Sequence, residues 1–158
     1  PFDPDSPGCL AAEGACVLIA ETEDGAKARG VKGGVRVLAV ARANDPSATP
    51  RGWGGEPERC VRRLSAEIER AGVRLASIHR IVSGASGVPE GDRAEWARLS
   101  AAFGERMPPV SAPKGITGEY GGGFLAAAVM GIGSGERVLV TSAAVGGALV
   151  WAVLERCA

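Results

Sequence analysis

Lys114 stands in a Ser/Pro/Gly setting, SAPKGITGEYGGGFLAAA, at the mouth of an almost wholly apolar segment, with Glu119 five residues on. An ammonium and a carboxylate are groups from which acid/base chemistry is made, so this pair is the first candidate for function. The single histidine, His79 in SIHRI, is expected to be a solvent-side or hydrogen-bonded strand residue and not a ligand. Cys9, Cys16, Cys60 and Cys157 lack C-x-x-C spacing, and Cys16 and Cys60 fall on apolar stripes. Buried free thiols are expected in preference to disulfides or ligands. No cluster has metal-ligand spacing, and no cofactor is called for. GIGSG at 131–135 imitates a dinucleotide fingerprint but follows a helix and precedes a strand, the reverse of the required order. Trp53, Trp96 and Trp151 are scattered and expected to pack, with Trp53, in a glycine-rich loop, placed to touch a partner.

These residues are positioned by alternating elements. The apolar run at 15–20, ACVLIA, reads as a strand covered on both faces, followed by a short charged helix over 21–29. A strand at 35–43 leads into the Pro/Gly-rich loop NDPSATPRGWGG. From Pro57 to Ala71, Val61, Leu64, Ile68 and Ala71 mark one buried stripe of a helix. A strand at 77–83 enters the turn GASGVPEGD, after which Asp92 is expected to cap a helix running to about Phe103. A brief extended piece around Val110 precedes a helix from about Gly118 to Ile132, apolar all round. Strands at 137–142 and 148–155, joined by AAVGG, complete the pattern. The order predicts an α/β fold: a five-stranded, mixed, mostly parallel sheet flanked by helices, with one antiparallel edge. A single such layer cannot cover a helix that is apolar on every side.

The 158 residues are expected to form one domain and to hide roughly 70% of the unfolded surface. With 18 basic and 18 acidic side chains there is no bias toward nucleic acid or acidic lipid. The longest apolar runs are glycine-interrupted and short of the roughly 20 residues that span a bilayer, and PFDPDSPG is unlike a signal peptide, so no membrane and a cytoplasmic address are expected.

The opening PFDPDSPGCLAAEGACVLIAE resembles the segment of β-ketoacyl-acyl-carrier-protein synthases that reads PFD, DGF, then GEGAGVLVLE. SAPKGITGEYGGG resembles the S-x-x-K-S-x-x-G-H element of the same enzymes, and IVSGASGVPEGDRAE lies where they have N-A-H-G-T-S-T-P-x-x-D-x-x-E. VLVTSAAVGGALVWAVLER resembles their last hairpin. The resemblance implies a thiolase-like fold of two stacked halves around nearly buried central helices. Residues 1–158 would form its C-terminal half, the N-terminal half being absent from this chain.

The family joins an acyl thioester to a malonyl thioester with a cysteine nucleophile, from the first half, and two histidines. Carried over position by position, the histidines fall on Gly84 and Glu119, and both are lost. Lys114 survives, with Asp92 and Glu95 of the D-x-x-E element, which in the family orient the lysine and nearby loops; Glu13 of AEGA also matches. A carboxylate at 119 would repel an enolate oxygen, so Glu119 cannot simply replace a histidine. An ion pair between Lys114 and Glu119 is favoured over acid/base chemistry. The resemblance therefore implies a non-condensing partner subunit, chain-length-factor-like, acting in a dimer with a ketosynthase subunit and with acyl carrier protein in fatty acid or polyketide biosynthesis. An alternative is acyl transfer with Glu119 as general base and a cysteine from the missing half. A purely structural dimerisation module is a third reading.

Overall fold

The computed structural model describes residues 1–120 and 123–157, with the side chains of residues 123 and 124 excepted. The elements are α1 (Glu23–Ala28), β1 (Val35–Asn44), α2 (Pro57–Arg70), β2 (Arg80–Ser83), α3 (Pro89–Phe103), β3 (Val110–Ser111), α4 (Lys114–Thr117), α5 (Gly123–Met130), β4 (Arg137–Ala143) and β5 (Ala148–Arg156). The strands form one sheet in the order β1-β5-β4-β2-β3. The β2–β3 and β2–β4 pairs are parallel, whereas β5 is antiparallel to both β4 and β1. Four strands thus share a direction and only β5 opposes them. The opposed strand is interior and not at the edge, because β1 returns to pair outside β5.

Each sheet face has its own core. On one, Ala41, Leu139, Trp151 and Val153 pack against Leu64 and Ile68 of α2 and Leu99 of α3. Pro57 starts α2, and Cys60, Val61, Leu64 and Ile68 recur at the spacing that points one stripe inward. On the other face Val82, Val138, Val140 and Leu154 pack against Ala128 of α5 and Ile132 just beyond it. Burying either set at about 25 cal/mol per Å² is the main term holding the sheet to its helices.

Five expectations are corrected. Residues 15–20 form no strand: Val17 is 85% and Ile19 92% exposed, and no backbone hydrogen bond joins this run to another described residue. An apolar run reports a need for burial but not the partner that satisfies it, and among the described residues this one finds none. The strand expected over 77–83 is β2 alone, residues 75–77 forming a 3₁₀ turn. Asp92 is no cap, since α3 begins at Pro89 and Val88 makes no side-chain cap bond. The helix expected over 118–132 is α5 alone; Gly118 is a left-handed turn, and positions 121–122 lie outside the described residues. Of the thiols only Cys60 is buried, while Cys9 is exposed and Cys16 and Cys157 are half-buried. His79 is exposed, its Nδ1 accepting from the Arg137 amide at 2.9 Å.

Candidate functional site

The carboxyl ends of the three adjacent parallel strands meet at one edge of the sheet, where ligand crevices of α/β folds form. Gly84 follows β2, Lys114 opens α4 three residues after β3, and the turn Ala144–Gly147 follows β4. β2 pairs with β4 to its own last residue, Ser83 opposite Thr141, and the Gly84 amide donates to the Thr141 carbonyl at 2.9 Å.

Glu119 is held from both sides of its backbone. Its amide donates to the Leu10 carbonyl at 2.7 Å and its carbonyl accepts from the Ala12 amide at 3.2 Å, so residues 10–12 run as a strap beside it. Gly118 makes the approach possible: it has φ +73°, and a Cβ there would stand 2.5 Å from that of Ala12. Gly14 passes under the Tyr120 ring just as closely. Lys114 Nζ lies 2.6 Å from Glu119 Oε2, and the lysine side chain is 11% exposed against 38% for the glutamate. The ammonium is thus the sheltered partner, and the carboxylate faces outward from it.

Asp92 organises the glycine-rich loop instead of capping a helix. Oδ1 accepts from the Ser86 amide at 3.1 Å and the Gly87 amide at 3.3 Å. Oδ2 accepts from Gly87 at 3.1 Å and from the Phe2 amide at 2.6 Å. Ser6 Oγ adds a bond to the Gly87 carbonyl at 2.7 Å. One side chain therefore fastens the amino-terminal arm and the loop after β2 to α3. Glu95 lies deeper: Oε1 accepts from Ser83 Oγ at 3.3 Å and from Thr141 Oγ1. Burial pushes its carboxyl above the usual range, against the opposing pull of Thr141, Arg98 and Ser83. Glu13, just beyond the strap, is exposed and makes no hydrogen bond or ion pair with another described residue.

Two residues missed in the sequence complete the arrangement. Arg98, one turn after Glu95, is 1% exposed, and its Nη2 donates to the Trp53 carbonyl at 2.6 Å. Asp45 is also buried and ties the loop after β1 together through Ser47 and the Glu56 amide. Burial opposes its ionisation, but the Ser47 hydroxyl and those amides outweigh burial and hold the carboxyl below its ordinary range. The D-x-x-E spacing extends to D-x-x-E-x-x-R, and this third charge on the same helical stripe was the available signal. Among the described residues no His/Cys/Asp/Glu group could hold a metal ion, and no helix is long and apolar enough to cross a membrane.

Known proteins share the sequence and the fold of this chain. The tetracenomycin polyketide synthase ketoacyl synthase beta subunit of Streptomyces glaucescens is 33% identical over 78% of this chain and 30% of its own length. The 3-oxoacyl-[acyl-carrier-protein] synthase 2 of Mycobacterium tuberculosis is 33% identical over 75% of the chain and 28% of its own length. The chain thus spans under a third of the length of these relatives. Among solved structures, the ishigamide ketosynthase/chain length factor superposes with a TM-score of 0.82 at 22% identity, over 98% of this chain and 46% of that one. A β-ketoacyl synthase from Burkholderia phymatum gives 0.70 at 18% identity, over 87% of this chain and 41% of that one. These likenesses show the fold, a mixed sheet flanked by helices as in thiolase-like ketosynthases. The family model described as "Beta-ketoacyl synthase, C-terminal domain" matches residues 36–133, and the chain belongs to that family.

Proposed function

We propose that this chain is the C-terminal half of a non-condensing, chain-length-factor-like subunit. It pairs with a companion half of the same fold and with a ketosynthase, and it helps shape a pocket for carrier-protein-borne acyl chains in polyketide or fatty acid biosynthesis in the cytoplasm. The observation that carries the reading is the site itself. Glycine and glutamate stand at 84 and 119, where the family's motifs place histidines, and the Glu119 carboxylate is engaged with Lys114 at 2.6 Å. A glycine cannot polarise a thioester carbonyl, and a carboxylate cannot stabilise a developing oxyanion. The names of the relatives support the assignment to an assembly, since one is a beta subunit and one solved neighbour is a ketosynthase/chain length factor. Another solved neighbour is an acyl-carrier protein in complex with its ketosynthase, which supports a carrier-protein partner.

The test is a condensation assay with acyl- and malonyl-carrier-protein substrates, using the chain joined to its companion half. No product is expected without a separate active ketosynthase. Product that disappears in Glu119→Gln while the variant stays folded would overturn the reading and favour the alternative, acyl transfer with Glu119 as general base. The partial exposure of Glu119 is what keeps that alternative testable.

A further inference from the structure

The carboxyl edge of the sheet is where a ligand crevice is expected, yet beside Gly84 the crevice is closed. The free space bounded by Trp53, Gly84, Ser86, Glu95 and Ala143 amounts to about 10 Å³, room for about one water. Gly84 brings no side chain to it, and Ser86 and Ala143 bring short ones. Trp53 is the one aromatic residue among its walls.

Three attachments fix the indole. Its ring lies against α3 at Gly91, where a Cβ would stand 2.8 Å from Cε2 and Cζ2, so a side chain at 91 would collide with it. The Trp53 carbonyl accepts from Nη2 of the buried Arg98 at 2.6 Å. One residue earlier, the Gly52 carbonyl accepts from the Gly146 amide at 3.0 Å, and the Asp45 amide donates to the Gly147 carbonyl at 2.9 Å. The loop that carries Trp53 is therefore stitched both to α3 and to the turn after β4.

We infer that Trp53 is the residue that keeps acyl chains out of the crevice beside Gly84, a specificity-determining wall held in place through Gly91 and Arg98. In the function proposed above the condensing histidines are gone; Trp53 in addition removes the room for a substrate at the first of their positions. A carrier-borne chain is then accommodated elsewhere in the assembly. The inference rests on that function only for the kind of ligand excluded, an alkanoyl thioester.

The test compares butyryl- and hexanoyl-pantetheine binding, by calorimetry and without malonyl substrate, to the chain joined to its companion half. In Trp53→Ala the preference for the longer compound is expected to rise about tenfold above that of the parent, the worth of two methylenes leaving water. Gly84→Val in the same background refills the crevice and abolishes the rise. No rise, or one that Gly84→Val leaves intact, overturns the role of Trp53. Urea midpoints establish that each variant is folded. Should Trp53→Ala unfold, Trp53→Phe carries the same comparison with a smaller rise, and its absence is equally decisive. Because no condensation is measured, condensing activity of the parent would remove the function proposed above and leave this comparison standing.

Discussion

Asp92 serves three backbone donors from two separate segments, and Ala in its place leaves the Ser86, Gly87 and Phe2 amides without that acceptor. With unsatisfied donors costing about 1–3 kcal/mol each when buried, Asp92→Ala is expected to lower stability by at least about 2 kcal/mol in urea denaturation, with earlier proteolysis of residues 1–8. Asp92→Asn, which keeps one carbonyl acceptor, falls between. Glu95 carries a pH signature of opposite sign to an ordinary paired carboxylate. Its carboxyl titrates above the ordinary 4.5 because burial dominates. Between that value and the raised one, the folded state holds a proton the unfolded chain has released, so stability declines as pH rises through the window. Glu95→Gln removes the decline. The stability of the variant relative to the parent is expected to grow as the buffer is taken from pH 4 to pH 8, and an unchanging difference would refute the assignment. The candidate site was readable in the sequence where a single residue stood in a distinctive string, as with Lys114 and Glu119. Arg98 carried only the weak signal of a third charge at the D-x-x-E spacing, and Asp45 carried none, because its role arises from burial and from loops meeting.

At the level of elements, the strap over residues 10–12 and the turn at Gly118 are one device. Gly118→Ala introduces both a left-handed alanine, costing about 1–2 kcal/mol, and a collision with Ala12. It should therefore release the strap. Faster protease cleavage within 10–20 and a lower urea midpoint are expected, with β1–β5 pairing preserved by circular dichroism. α2 and β4 follow their apolar patterns closely, since each buries a face against another part of the same chain, whereas β1 leaves Val37 and Val40 exposed. The run at 15–20 has the same pattern with a different outcome, because its burial partner is not supplied by the described residues. The position of β5 escaped local reading for another reason. Strand order depends on which edge remains open to the returning chain, and that is a property of the whole sheet.

Taken whole, the molecule exposes 9083 Å², where a compact monomer of 158 residues would expose about 7,400 Å². The surplus is about twice what one partner contributes to a standard interface of about 800 Å² a side, and the exposed apolar side chains include Ile19 and Met130, 92% and 81% exposed. Concentration-dependent self-association on size exclusion is expected for the chain alone. Ile19→Lys with Met130→Lys should shift it toward monomer without moving the urea midpoint, since neither side chain supports the existing core. The sheet also sets a clock on synthesis. Among the described residues β1 pairs only with β5, Asn44 facing Ala148 across more than a hundred intervening residues. At about 5–20 residues per second, ribosomes leave β1 waiting roughly 5–20 s for its mate. During translation this open strand is a natural client for chaperones, and slow codons between 111 and 148 would prolong its vulnerability to pairing with a neighbouring nascent chain.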